Sequence, residues 1–110
     1  MATTSYKVLG QITPSAASAT TLYTVPSATQ TVVSTLIACN QASASCTIRV
    51  AVRPDGATLE SKHYIVYDAT LAAYQTIAFT LGITGDASDV VTVQSSNATT
   101  SFTAFGSEVA

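Results

Sequence analysis

The stretch TVVSTLIACNQASASCTIRVAVR, Thr31 to Arg53, decides the fold class. Its last eight residues, Cys46 to Arg53, alternate. Ile48, Val50 and Val52 fall on one side and Arg49, Ala51 and Arg53 on the other, the two-residue period of a half-buried strand. Its first nine residues, Thr31 to Cys39, put Val33, Thr35, Ile37 and Cys39 on one face and Val32, Ser34, Leu36 and Ala38 on the other. Both faces suit burial, so this segment reads as an interior strand, and its partner as a strand with an exposed or interfacial side. The polar connection Asn40 to Ser45 separates the two. Cys39 and Cys46 flank that connection, and two readings stand: a disulfide across the hairpin, or two free thiols with one buried.

Outward from this stretch the same period returns between turn signals. Leu22 to Val25 is a brief extended patch stopped by Pro26, whose missing N–H suits an edge or a turn. Pro54-Asp55-Gly56 is a strong turn signal, since proline fixes one dihedral and glycine accepts positive φ. Lys62 to Tyr67, Tyr74 to Leu81, Asp89 to Ser95 and Thr100 to Val109 are further strands; Val91 and Val93 are expected inward, and Phe102 and Ala104 on one face. Asp68 to Ala73 reads as a connection in which Leu71 caps the core. Seven strands with almost no helical periodicity predict an all-β, antiparallel β-sandwich, either jelly-roll-like or with an immunoglobulin-like topology.

The amino-terminal part reads differently. Tyr6, Val8 and Leu9 form a short apolar segment, and Gly10 to Thr21 contains Pro14 and the run SAASAT. The expected division is an arm or linker over residues 1–21 and a sandwich over 22–110, with Tyr6, Val8 and Leu9 docking on a neighbouring subunit. The alternative is an edge strand on the chain's own domain.

Composition narrows the function. Among 110 residues only 9% are charged while 47% are hydrophobic, less charge than a freely soluble monomer usually carries, which points to surface covered by a partner. The net charge is −2, and Lys7, Arg49, Arg53 and Lys62 form no run, which argues against nucleic acid as a partner. No stretch of about 18 apolar residues suits a membrane-spanning helix. The start MATTSYKVLG lacks a basic segment followed by an apolar one, so intracellular synthesis is expected.

Groups for chemistry are scarce. His63 is the sole histidine; near Asp68 or Glu60 it is a weak candidate base, and a structural role is expected. Asp86 and Asp89, with carbonyls of the Gly82 to Ser88 loop, offer oxygen ligands for calcium without the order of a calcium hand, and loop capping is the ordinary role. Two cysteines and one distant histidine do not make a zinc site. Asn97-Ala98-Thr99 formally matches a glycosylation acceptor. Tyr64, Tyr67 and Tyr74 concentrate aromatic surface, suited to a protein interface or to stacking against a glycan. No enzyme activity, cofactor or metal is expected.

Five segments carry a resemblance: YKVLGQ (Tyr6 to Gln11), LYTVPSATQTVVSTLIACNQ (Leu22 to Gln41), RPDGATLESKHYIVYD (Arg53 to Asp68), LGIT (Leu81 to Thr84) and FGSEV (Phe105 to Val109). Through them the chain resembles small structural proteins of bacteriophages, including phages of cyanobacteria and other aquatic bacteria. The resemblance implies a β-sandwich virion subunit without catalysis. Its implied place is the outer surface of the phage head, as a cement or decoration protein made in the host cytoplasm. The implied partners are the major capsid protein and other copies of itself, often as a homotrimer. Tail and fibre components are the alternative, with tail proteins as partners.

Overall fold

The structure, a computed structural model, describes residues 3–110. Among the described residues nine strands form: β1 (Thr4–Ile12), β2 (Thr20–Thr24), β3 (Gln30–Asn40), β4 (Cys46–Arg53), β5 (Tyr64–Leu71), β6 (Thr76–Phe79), β7 (Ile83–Gly85), β8 (Val90–Ser95) and β9 (Thr100–Val109). Two short 3-10 turns, Pro54–Gly56 and Ser61–His63, are the remaining regular elements. Sheet A runs β1-β9-β3-β6, with β7 also on β3, and sheet B runs β2-β8-β4-β5. All pairs are antiparallel.

Strands β6 and β7 continue one another along β3, pairing with Leu36 to Cys39 and with Thr31 to Val33. The chain breaks between them at Gly82, whose φ is +60°. Counted as one broken strand, they leave four strands per sheet, and the chain crosses between sheets at nearly every connection. Two interlocked Greek keys of this kind make a jelly roll. The immunoglobulin arrangement, in which the first two strands share a sheet, is excluded because β1 and β2 lie in opposite sheets.

The core lies between the sheets. Leu36, Ala38, Phe102 and Ala104 of sheet A meet Ile48, Val50, Val91 and Val93 of sheet B, all buried. Strand β4 presents Ile48 and Val50 inward and Arg49 and Arg53 outward, as its alternation predicts. Strand β3 is interior, flanked by β9 and β6, but its faces are not those of a simple alternation. The register slips between Val33 and Thr35, so Thr31 and Val33 point inward, and beyond the slip Leu36, Ala38 and Asn40 do. An extra residue at Ser34 exchanges the two faces halfway along the strand.

A second slip shapes β5. Ile48 pairs with Ala69 and Val50 with Val66, leaving one extra residue beside Asp68, which takes φ +53°. The bulge carries the strand through the expected connection, and Leu71 is a fully buried strand residue. Leu81, the expected end of the strand Tyr74 to Leu81, is exposed and lies outside it because β6 ends at Phe79.

Strands β3 and β4 do not form a hairpin. Their connection passes from sheet A to sheet B, Cys46 is buried, Cys39 is half-buried, and both thiols are free. The crossing is fixed by Asn40, whose Nδ2 donates to the carbonyls of Ala44 and Ala72, both at 3.0 Å. Its Oδ1 accepts from the Ala42 amide and from Asn97 Nδ2.

The segment expected as an arm over residues 1–21 is, from Thr4 to Ile12, the edge strand of sheet A. Thr4 lies opposite Val109 and Ile12 opposite Phe102, and the ladder extends to mutual backbone bonds between Thr3 and Ala110. Strand β9 spans ten residues, and β1 satisfies the backbone groups of its outer edge that would otherwise lack a protein partner. Leu9 and Ile12 pack against the core of their own domain. The following linker is tied down as well, with Pro14 fully buried and the Ala17 amide bonded to the Ser95 carbonyl at 2.7 Å.

Candidate assembly surface

The outer face of sheet A follows from the register. Tyr6 and Val8 of β1 stand opposite Ser107 and Phe105 of β9, which face Val32 and Thr35 of β3, and Val32 faces Thr84 of β7. Further along, Gln11, Thr103, Ile37 and Ala78 form the next row across β1, β9, β3 and β6. Among the described residues no Asp, Glu, Lys or Arg points out from this face. Tyr6 is 85% exposed and Val8 47%, and Val32, Phe105 and Val109 are exposed beside them. A shallow groove runs between Tyr6, Val8, Ser34 and Phe105, bordered by the stem of Lys7. A neighbouring groove between Gln30, Val32 and Val109 ends at Asp86 and Asp89 on the β7–β8 loop.

The charge that β1 does carry is turned away from the face and neutralised. Lys7 alternates with Tyr6 and Val8, and its Nζ lies 2.6 Å from Glu108 Oε1. Glu108, on β9, also accepts the Tyr23 hydroxyl of β2, while Thr31 of β3 lies 2.8 Å from the same hydroxyl and donates to it. The cluster joins four strands of both sheets. Lys7, then Tyr23, holds the Glu108 carboxyl below its ordinary range, and burial, reinforced by Glu108, pushes Tyr23 up to about 12.

Sheet B presents a contrasting exterior. Arg49 makes a two-pronged contact with Asp68, Nε to Oδ1 at 2.6 Å and Nη2 to Oδ2 at 3.2 Å, and its guanidinium lies 4.1 Å from the Tyr67 ring centre. Tyr64 meets Tyr67 edge to face at 5.1 Å. The pairing holds the Asp68 carboxyl below its ordinary range and pushes Arg49 up. Tyr64 and Tyr67 are thus brought together, while Tyr74, 70% exposed, sits in the β5–β6 turn with its amide on the Ala42 carbonyl.

No protein-family model matches the chain, and no curated protein is significantly similar to it.

The other residues singled out in the sequence have structural partners. His63 is buried, and its Nδ1 accepts the Glu60 amide at 3.0 Å. Asp89 accepts the amides of Asp55 and Asp86, clasping the β4–β5 and β7–β8 loops, and Asp86 accepts the Ala87 amide. Among the described residues no group of three or more His, Cys, Asp or Glu side chains is placed to hold a metal. Asn97 Oδ1 accepts from Ser95, Thr99 and Thr100, so this side chain stitches the β8–β9 turn. Among the described residues no helix is long and apolar enough to cross a membrane.

Of Tyr6, Val8 and Leu9, the first two lie on the uncharged face and Leu9 belongs to the core. Sequence reasoning missed Phe105, Val32 and Val109 as their companions, because β1, β3 and β9 become neighbours only through long-range pairing. The available signal was the absence of charge from the outward positions of three separate segments.

Proposed function

We propose that this chain is a noncatalytic structural subunit of a bacteriophage virion, acting as a cement or decoration protein on the outside of the head. The observation that carries the reading is the uncharged outer face of sheet A, which exposes Tyr6, Val8, Val32, Phe105 and Val109 on a rigid four-strand platform. Apolar surface concentrated on one face marks a site of macromolecular contact. The resemblance of five segments to small phage structural proteins supplies the setting, which a jelly roll alone does not. The major capsid protein and other copies of the chain are the partners in this reading, and many modest contacts acting together reinforce the shell.

Locating the chain in intact virions tests this. Density on the capsomers is expected. Density confined to the tail or fibres rejects the head role and favours a second reading, a tail component that touches host glycans. The observation favouring that reading is the Arg49–Asp68 fork beside Tyr67, which is 61% exposed. Such a component would lose glycan binding in Tyr67→Ala.

A further inference from the structure

We infer that the occupant of the uncharged face of sheet A is the same face of a second copy, giving a two-fold dimer. This rests on the reading of that face as an assembly surface and names its partner. Charge decides the kind of partner first. A surface without ionic groups excludes a charged partner patch, whose ions would lose water without gaining a counter-ion. The exterior of sheet B carries Arg49, Arg53 and Asp68, so on this molecule the face of sheet A is matched by itself.

Hydrogen bonding points the same way. The polar groups of the face are hydroxyls and amides, among them those of Gln11, Gln30, Thr35, Thr84, Thr103 and Ser107. A hydroxyl or carboxamide both donates and accepts, so such a face meets its own copy without leaving one kind of group in excess. A surface of carboxylates or ammonium groups has no such property.

Area and shape are sufficient. Four strands about 4.8 Å apart, roughly ten residues long at ~3.4 Å per residue, give a projected face on the order of 600 Å². Protruding side chains such as Tyr6 raise the accessible area toward the roughly 800 Å² per partner of a standard interface. Two equally twisted sheets pack face to face with strands about 30° apart, the geometry already used inside each sandwich. The charges at the margin, Lys7 with Glu108 and the loop carboxylates Asp86 and Asp89, remain at the rim. An isologous contact closes at two copies, in contrast to the trimer that the resemblance implies.

Sedimentation equilibrium of the purified chain, with occupancy of the same variants on virions, tests the pairing. The expected species has twice the 11.3 kDa chain mass. Val8→Lys and Val32→Lys, both at exposed positions, should weaken self-association at least about 100-fold, and Thr21→Lys on sheet B should leave it unchanged. Retained thermal unfolding of each variant separates lost contact from lost fold, and either lysine variant suffices. A monomer at all concentrations, a species of three times the chain mass, or a dimer indifferent to both lysines overturns the pairing. If a monomeric wild type decorates virions and Val32→Lys does not, the pairing falls while the assembly reading stands. If neither association nor occupancy responds to the lysines, both fall.

Discussion

At the scale of single residues, the most consequential group is Glu108, a carboxylate near the end of the chain that lies between β1, β2 and β3. Its lowered pKa means that its stabilising contribution is present above its ordinary value of 4.5 and is lost as pH falls through the depressed folded value. Tyr23 acts at the other limit. Its pKa is raised, so its contribution is complete below 10.0 and is lost as pH rises toward about 12. Urea unfolding followed across pH should therefore show a plateau between these limits. In Tyr23→Phe the plateau should fall by about 1.5–3 kcal/mol, the usual worth of a hydrogen bond to a charged group. The variant's alkaline decline between pH 10 and 12 should also be shallower. Gly106 is a residue-scale constraint of another kind. A methyl group there would lie 1.9 Å from the Val32 carbonyl oxygen, a backbone atom that can move only with β3. Gly106→Ala should cost about 1–3 kcal/mol or more, as overpacking does, measured by the same unfolding experiment.

At the scale of elements, β1 is the case in which reading and structure part. Its residues look like an arm because one inward side chain is Lys7 and because a slip at Leu9 interrupts the alternation. The partner that makes it a strand is β9, at the opposite end of the sequence. Removing residues 1–18 would unpair that edge, expose the core beside Leu9 and Ile12, and leave Glu108 without Lys7. The truncated chain should lose at least about 3 kcal/mol, lowering Tm by roughly 12 °C or more, as calorimetry would show. A domain of unchanged Tm would return β1 to the status of an arm. The loops at the other end depend on Asn40 and Asn97. Asn97→Ala removes the acceptor of three donors and should cost roughly 2–3 kcal/mol in the same measurement.

At the scale of the whole molecule, the two sheets present opposite chemistries to their surroundings. Association through the face of sheet A buries no ion, so its strength should change little between 50 and 500 mM NaCl and increase in sulfate. Contacts made through Arg49, Arg53 and Asp68 would weaken with NaCl, and sedimentation at the two concentrations distinguishes the cases. The topology also sets the folding rate. In sheet A every pair except the two halves β6 and β7 on β3 involves β9, which pairs with β1 from Thr4 onward and with β3. Pairing of such distant segments places refolding in the millisecond-to-second range, which stopped-flow fluorescence of the tyrosines would measure.

The sequence by itself determined the all-β class. Alternation in Cys46 to Arg53, Asp89 to Ser95 and Thr100 to Val109 is local, and a two-residue period needs no knowledge of the partner strand. It likewise determined the turn at Pro54-Asp55-Gly56 and the break at Gly82, since these depend on the dihedral preferences of the residues themselves. Only the tertiary structure decided which side of β3 is inside. The bulge at Ser34 arises from pairing with β9, and a single extra residue inverts every side chain beyond it. Only the tertiary structure made residues 4–12 a strand, buried Glu108 beside Tyr23, and gathered the uncharged positions of β1, β3 and β9 into one face. Each of those features joins residues far apart in the chain, and a local period carries no information about which distant segment will lie alongside.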